Sequence, residues 1–246
     1  MKPNIPWIVA AVLLTAFHVF AEPPTCLVLS GGSARGAAHV GVLEALEELE
    51  IHVDCVVGTS MGAVVGGLYA SGLPPERIRE IMVSTDWDNL LTDRPDRERI
   101  PFRRKQFDHL ALFEFEFGLG KTGLVLPSGL IAGQKLDFLL KVLTLHTVDV
   151  DSFDNLFIPY RAVATDLATG KMVVLDEGDL AGAMRASMSV PGAFSPMTID
   201  GMDLVDGGIA RNLPVDVARD WGAVRIIAVD ISTPVRPKDE EINALG

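Results

Sequence analysis

Short apolar runs punctuated by glycine-rich turns alternate along this chain with stretches whose apolar residues recur every three or four positions. The strand-like runs fall at residues 26–30, 53–57, 158–165, 171–175, 203–206 and 224–231. Between the first two, Ala37, Val40, Leu43, Leu46 and Leu49 recur at helical spacing across 36–50, and 63–70 reads as a helix rich in small residues. Strands that alternate in part with helices predict a three-layer α/β/α sandwich around a largely parallel sheet. Residues 156–175 break the alternation and read as two strands around a turn at Thr169-Gly170. Neither an internal repeat nor a low-complexity linker interrupts the pattern.

Three turns in this pattern carry candidate chemistry. The run at 53–57 ends in Gly58-Thr59-Ser60-Met61-Gly62 and a helix follows, the strand, elbow and helix that a nucleophile needs. A serine in such an elbow takes a strained backbone, and Gly58 and Gly62 remove the Cβ atoms that would collide there. The competing reading is a helix N-cap at Ser60 with glycines present for close packing. The run at 26–30 feeds Ser30-Gly31-Gly32-Ser33-Ala34-Arg35-Gly36 and then a helix whose N-terminus carries positive partial charge. Such a loop can serve as an oxyanion hole, a phosphate cradle or a plain tight turn. A Walker-type loop fails because Ala37 stands where lysine is required, and the dinucleotide fingerprint fails because its middle glycine falls on Ser33. That leaves an oxyanion hole from the amides around Gly31, Gly32 and Ser33, with Arg35 either orienting the loop, meeting substrate charge, or standing solvated. The third turn is Asp206-Gly207-Gly208, where a strand end delivers a carboxylate. Asp206 is the candidate base for Ser60, set against the reading of a turn aspartate before two glycines. No histidine follows His146, so a Ser-His-Asp arrangement in the usual hydrolase order requires His109 or His146, and neither lies in an informative frame.

These three motifs, in this order, resemble the patatin-like phospholipase family, whose marks are a glycine-rich oxyanion loop with a basic residue, a Gly-Xaa-Ser-Xaa-Gly elbow, and Asp-Gly-Gly or Asp-Gly-Ala. The resemblance runs from about Cys26 to Thr233 and includes the block from Arg185 to Gly192 before the aspartate. It implies Ser60 as nucleophile, Asp206 as its dyad partner, and Gly31, Gly32, Ser33 and Arg35 as the oxyanion loop. Ser33 departs from the family, which usually has a third glycine there. The implied activity is hydrolysis of acyl esters of phospholipids or lysophospholipids at a membrane surface, through an acyl-serine and without a cofactor. A Ser-His-Asp esterase and a noncatalytic lipid-binding module are the rival readings.

Composition adds compartment and partners. Lys2, an apolar run over 7–17 and Val19-Phe20-Ala21 before Glu22 fit a signal peptide at 1–21, with an uncleaved anchor as the alternative. The chain is then expected in the periplasm, at the outer membrane or secreted, with residues 22–246 as one hydrolase domain. Removing the leader takes away only Lys2, so the net charge moves from −12 to −13, which argues against nucleic acid as a partner. Cys26 and Cys55 sit in strands expected to be parallel neighbours, where Cβ geometry rarely suits a disulfide, so two buried thiols are expected. Two separated cysteines and scattered histidines suggest no metal site. Residues 93–133 are the least regular: Arg94, Arg97, Arg99, Arg103, Arg104 and Lys105, then Phe113, Phe115 and Phe117, form either a lipid-facing cover or a charged loop before a core-packed strand. Residues 234–246 resemble the start of a further helix, so the natural protein is expected to continue.

Overall fold

The computed structural model describes residues 23–90, 118–120, 123–125, 129–131 and 133–232. The expected leader, the basic run at 94–105, Phe113, Phe115, Phe117, His109 and the expected C-terminal helix lie outside the described residues. Strand β1 (Thr25–Leu29) is buried along its whole length because both its faces are covered. Leu27 and Leu29 join a large apolar cluster on one side, Cys26 and Val28 a smaller one on the other, the pattern of a strand sandwiched between layers. A 3₁₀ turn (Ser33–Gly36) leads into helix α1 (Ala37–Glu48), followed by strand β2 (Cys55–Thr59) and helix α2 (Met61–Ala70). Helices α3 (Pro75–Ser84) and α4 (Trp87–Leu90) come next. Three short strands, β3 (Gly118–Gly120), β4 (Gly123–Val125) and β5 (Gly129–Ile131), precede helix α5 (Gln134–Leu143). Strands β6 (Tyr160–Asp166) and β7 (Met172–Leu175), helix α6 (Leu180–Ser187) and strands β8 (Gly192–Phe194), β9 (Met197–Ile199) and β10 (Met202–Asp206) follow. Helices α7 (Gly208–Arg211) and α8 (Val215–Asp220) and strand β11 (Arg225–Val229) complete the described chain.

The main sheet runs β11-β1-β2-β6-β10-β9, with β7 also paired to β6. It is parallel from β11 through β6, and antiparallel where β7, β10 and β9 join. Helices α1, α2, α3, α5 and α6 supply the large cluster, while α8 covers the opposite face through Val217 and Ala218. This is the expected three-layer sandwich, with an antiparallel half added. The strands at 160–166 and 172–175 pair around Thr169-Gly170 as the pattern predicts.

The expectation of two free thiols is overturned. Cys26 stands directly opposite Cys55 in the β1/β2 ladder, the Cα atoms are 4.6 Å apart, and the two form a disulfide. The register alone brings them within the Cα separation that a disulfide needs.

One feature of the ladders positions the site. Strand β7 occupies one edge of β6 across Ala162–Thr165, so β2 and β10 share the other edge. There they run toward each other: Thr59 is opposite Val163, and Asp206 is opposite the next residue, Ala164. The C-terminal tips of β2 and β10 therefore meet head to head, and the residues they deliver are Ser60 and Asp206.

Candidate active site

Ser60 follows β2 with φ 54° and ψ −123°, a conformation that costs a non-glycine residue of order 1–3 kcal/mol. The fold holds it there from several directions. A Cβ at Gly58 would collide with the backbone of Gly62 and Ala63, and one at Gly62 with the carbonyls of Leu29 and Ser30, so the elbow closes only with glycine at both places. The Ser60 N–H donates to the Ser187 hydroxyl at 2.8 Å, and Ser187 Oγ donates in turn to the Val163 carbonyl at 2.5 Å. Ser60 Oγ makes no capping bond to its helix. It donates instead to Asp206 Oδ2 at 2.6 Å, which decides against the N-cap reading.

Asp206 Oδ1 accepts the Gly208 N–H at 2.7 Å, as a turn aspartate does, while Oδ2 accepts the hydrogen bond from the Ser60 hydroxyl. Its backbone is pinned by Asp206 N–H to the Ser189 carbonyl at 2.9 Å and by the Thr165 hydroxyl to the Asp206 carbonyl at 2.9 Å. Only 7% of the residue is exposed. Burial raises the carboxyl pKa, partly offset by the hydrogen bonds from Ser60 and Gly208.

The glycine loop lies against this pair. Gly31, Gly32, Ser33 and Arg35 line one cavity of about 340 Å³ together with Ser60 and Asp206. A Cβ on Gly31 would sit 3.0 Å from Ser60 Cβ, so the loop lies against Ser60. Ser33 has φ 49°, the left-handed region that favours glycine, which gives a physical reason for a third glycine at this place in the family pattern. The Gly31 N–H is committed to the Asn212 carbonyl at 3.3 Å. Gly32 and Ser33 have no protein acceptor for their N–H groups among the described residues, so the expected three amides narrow to two. Arg35 stands exposed on the cavity wall.

Among the described residues no histidine is bonded to Ser60 or Asp206. His146 bonds the Ser71 carbonyl at 2.9 Å, capping the end of α2, and His39 is buried with Nε2 on the Ser30 carbonyl at 2.8 Å. Ser187, His39 and Asn212 are contributors that the sequence reading did not single out; Ser187 lay inside the block from Arg185 to Gly192, the one signal available. Among the described residues no cluster of His, Cys, Asp and Glu could hold a metal ion, and no helix is long and apolar enough to cross a membrane. A larger hollow of about 540 Å³, walled by Asp151, Glu177, Asp179 and Asp200 among others, shares no lining residue with the catalytic cavity.

A family model described as patatin-like phospholipase matches residues 27–219, the stretch that carries this serine, aspartate and glycine loop. The chain belongs to the patatin-like phospholipase family. A patatin-like phospholipase domain-containing protein of Caenorhabditis elegans is 37% identical over 213 residues, 84% of this chain and 13% of its own length. Patatin-like phospholipase domain-containing protein 6 of Homo sapiens is 33% identical over 210 residues, again 84% of this chain and 13% of that protein. An uncharacterized NTE family protein of Mycobacterium tuberculosis is 33% identical over 229 residues, 91% of this chain and 54% of its own length. This patatin-like chain thus spans about half of the mycobacterial relative and a small part of the animal ones. The crystal structure of VipD from Legionella pneumophila aligns over 78% of this chain and 47% of its own, with a TM-score of 0.49 and 16% identity.

Proposed function

We propose that this chain is a lipid acyl hydrolase of the phospholipase A or lysophospholipase type, working through a Ser60–Asp206 dyad. The observation that carries the reading is the 2.6 Å hydrogen bond from Ser60 Oγ to Asp206 Oδ2 in a buried, strained elbow. As Oγ attacks the ester carbonyl carbon, its proton passes to Asp206. The carbonyl oxygen becomes an oxyanion, held by the N–H groups of Gly32 and Ser33; one such donor is typically worth about 3 kcal/mol of barrier. Collapse breaks the ester bond, Asp206 hands its proton to the departing alcohol oxygen, and the acyl group stays on Ser60. Water then gives a proton to Asp206 as it attacks the acyl carbon. The second collapse returns that proton to Ser60 Oγ and releases the fatty acid. Every group used belongs to this chain or is water, so the mechanism calls for no cofactor. Arg35 on the cavity wall suits an anionic headgroup, which favours phospholipid over neutral ester as the substrate class.

The Cys26–Cys55 disulfide supports export to an oxidising compartment, as the apolar leader at 1–21 suggests. Hydrolysis of a doubly labelled phosphatidylcholine by the wild-type chain, Ser60→Ala and Asp206→Asn is the test. Loss of fatty-acid release in both variants is expected. Retained turnover in Asp206→Asn moves the base elsewhere, and no turnover by the wild type leaves a lipid-binding module.

A further inference from the structure

We propose that Asn212 is a positioning residue that aims the oxyanion amides, by gripping Gly31 from both sides. The inference rests on the hydrolase reading above and adds to it a residue that, among the described residues, makes no hydrogen bond to Ser60 or Asp206. Asn212 comes just after α7 and lies 181 residues along the chain from Gly31, yet it holds that glycine twice. Its backbone carbonyl accepts the Gly31 N–H at 3.3 Å, and its side-chain Nδ2 donates to the Gly31 carbonyl at 3.3 Å. The second contact settles which way the side-chain amide faces, because a carbonyl can only accept.

The consequence follows from peptide geometry. The Gly31 carbonyl and the Gly32 N–H belong to one planar peptide unit and point in opposite directions. Fixing the carbonyl on Asn212 therefore fixes the line along which the Gly32 N–H points, and that N–H has no protein acceptor among the described residues. Two successive glycines have more freedom to rotate than any other pair, so the loop needs an external hold if its amides are to be preorganised. Gly31 also packs against the Ser60 side chain, so a rotation of its peptide would displace the amides relative to the nucleophile.

The space around Asn212 is specific to its size. A Cβ on Gly31 would come within 2.6 Å of Asn212 Oδ1, and a Cβ on Gly208 within 3.0 Å, so two glycines admit the asparagine. The neighbouring residue extends the grip: the Arg211 carbonyl accepts the Thr59 hydroxyl at 3.0 Å, holding the residue before the nucleophile. The stretch from Asp206 to Asn212 thus supplies the base, a tether to the nucleophile strand and a tether to the oxyanion loop.

The test compares Asn212→Ala and the nearly isosteric Asn212→Asp, which replaces the donor facing Gly31 by an acceptor, beside wild type and Ser60→Ala. Expected is a kcat roughly 10- to 100-fold lower in both Asn212 variants, short of the full loss of an oxyanion donor. KM should stay within about threefold. Affinity for a trifluoromethyl ketone lipid analogue, whose adduct places an oxyanion on the same amides, should fall in parallel with kcat, while Tm changes little. A wild-type kcat in Asn212→Asp, or a kcat loss with unchanged inhibitor affinity, overturns the role of Asn212. Full activity in Ser60→Ala instead overturns the Ser60–Asp206 mechanism beneath it, and no turnover by the wild type overturns the hydrolase reading.

Discussion

On the proposed mechanism Asp206 is ionised when it takes a proton, yet the fold buries it, and the conflict makes a measurable prediction. Its pKa is raised by desolvation, so above that raised value the buried charge costs folding free energy. The cost fades as pH falls through the folded pKa toward the ordinary carboxylate value near 3.9. Asp206→Asn can keep both contacts, its Oδ1 accepting from Gly208 and its Nδ2 donating to Ser60 Oγ. The variant should therefore unfold at a higher temperature than wild type at pH 7, by a margin that shrinks at pH 4.5, while losing hydrolysis. A lower Tm at pH 7 would contradict this account. The same shift puts the acid limb of kcat/KM above the usual carboxylate range, to be read from a pH profile with a neutral substrate. Ser187 is a different kind of residue: its hydroxyl joins the Ser60 N–H to the Val163 carbonyl in a buried site. Ser187→Ala strands both groups, so urea unfolding should show a loss of about 1–3 kcal/mol. A change below about 0.5 kcal/mol, the size usual for surface substitutions, would mean that water replaces the hydroxyl.

At the scale of elements, the site exists because β2 and β10 meet tip to tip along one edge of β6. The parallel half was legible because strands buried on both faces write continuous apolar runs, and the glycines at 58 and 62 mark the elbow for steric reasons that act locally. The antiparallel half was less legible, although a signal was present. Asp200-Gly201, with φ 51° and 77°, forms the turn between β9 and β10, and an Asp-Gly pair between strand-like runs is a strong short-range hairpin mark. The grip of Asn212 on Gly31 had no local mark, since it depends on where α7 ends in space. The disulfide was misjudged from the general behaviour of parallel neighbours, whereas this register sets Cys26 opposite Cys55. It links β1, which feeds the oxyanion loop, to β2, which feeds the nucleophile. Closing a loop with a sequence separation of 29, the bond should contribute about 3–4 kcal/mol on a chain-entropy account. Denaturant unfolding of the Cys26→Ser/Cys55→Ser double variant beside wild type, with and without reductant, checks this; equal stability with and without reductant in the wild type would sink it.

For the whole molecule, a net charge of −12 opposes approach to an anionic membrane, and its reach depends on salt. Repulsion between a chain of this charge and an anionic surface extends over a Debye length, about 30 Å at 0.01 M ionic strength and about 8 Å at 0.15 M. Among the described residues the cavity is lined by only two charged side chains, Asp206 and Arg35, so screening acts mainly on the encounter. On the proposed function, hydrolysis of phosphatidylglycerol vesicles should therefore speed up as salt rises from about 0.01 to about 0.15 M, over which the screening length falls to roughly a quarter. Phosphatidylcholine vesicles, which carry no net charge, should show a nearly flat rate over the same range. The comparison separates the global field from the local basic run Arg94, Arg97, Arg99, Arg103, Arg104 and Lys105. Juxtaposed to an anionic surface, a cluster of that sign attracts by about 1 kcal/mol per residue and loses this attraction as salt rises. A rate on phosphatidylglycerol that falls with salt would thus assign the encounter to the basic run and reject net charge as its governor.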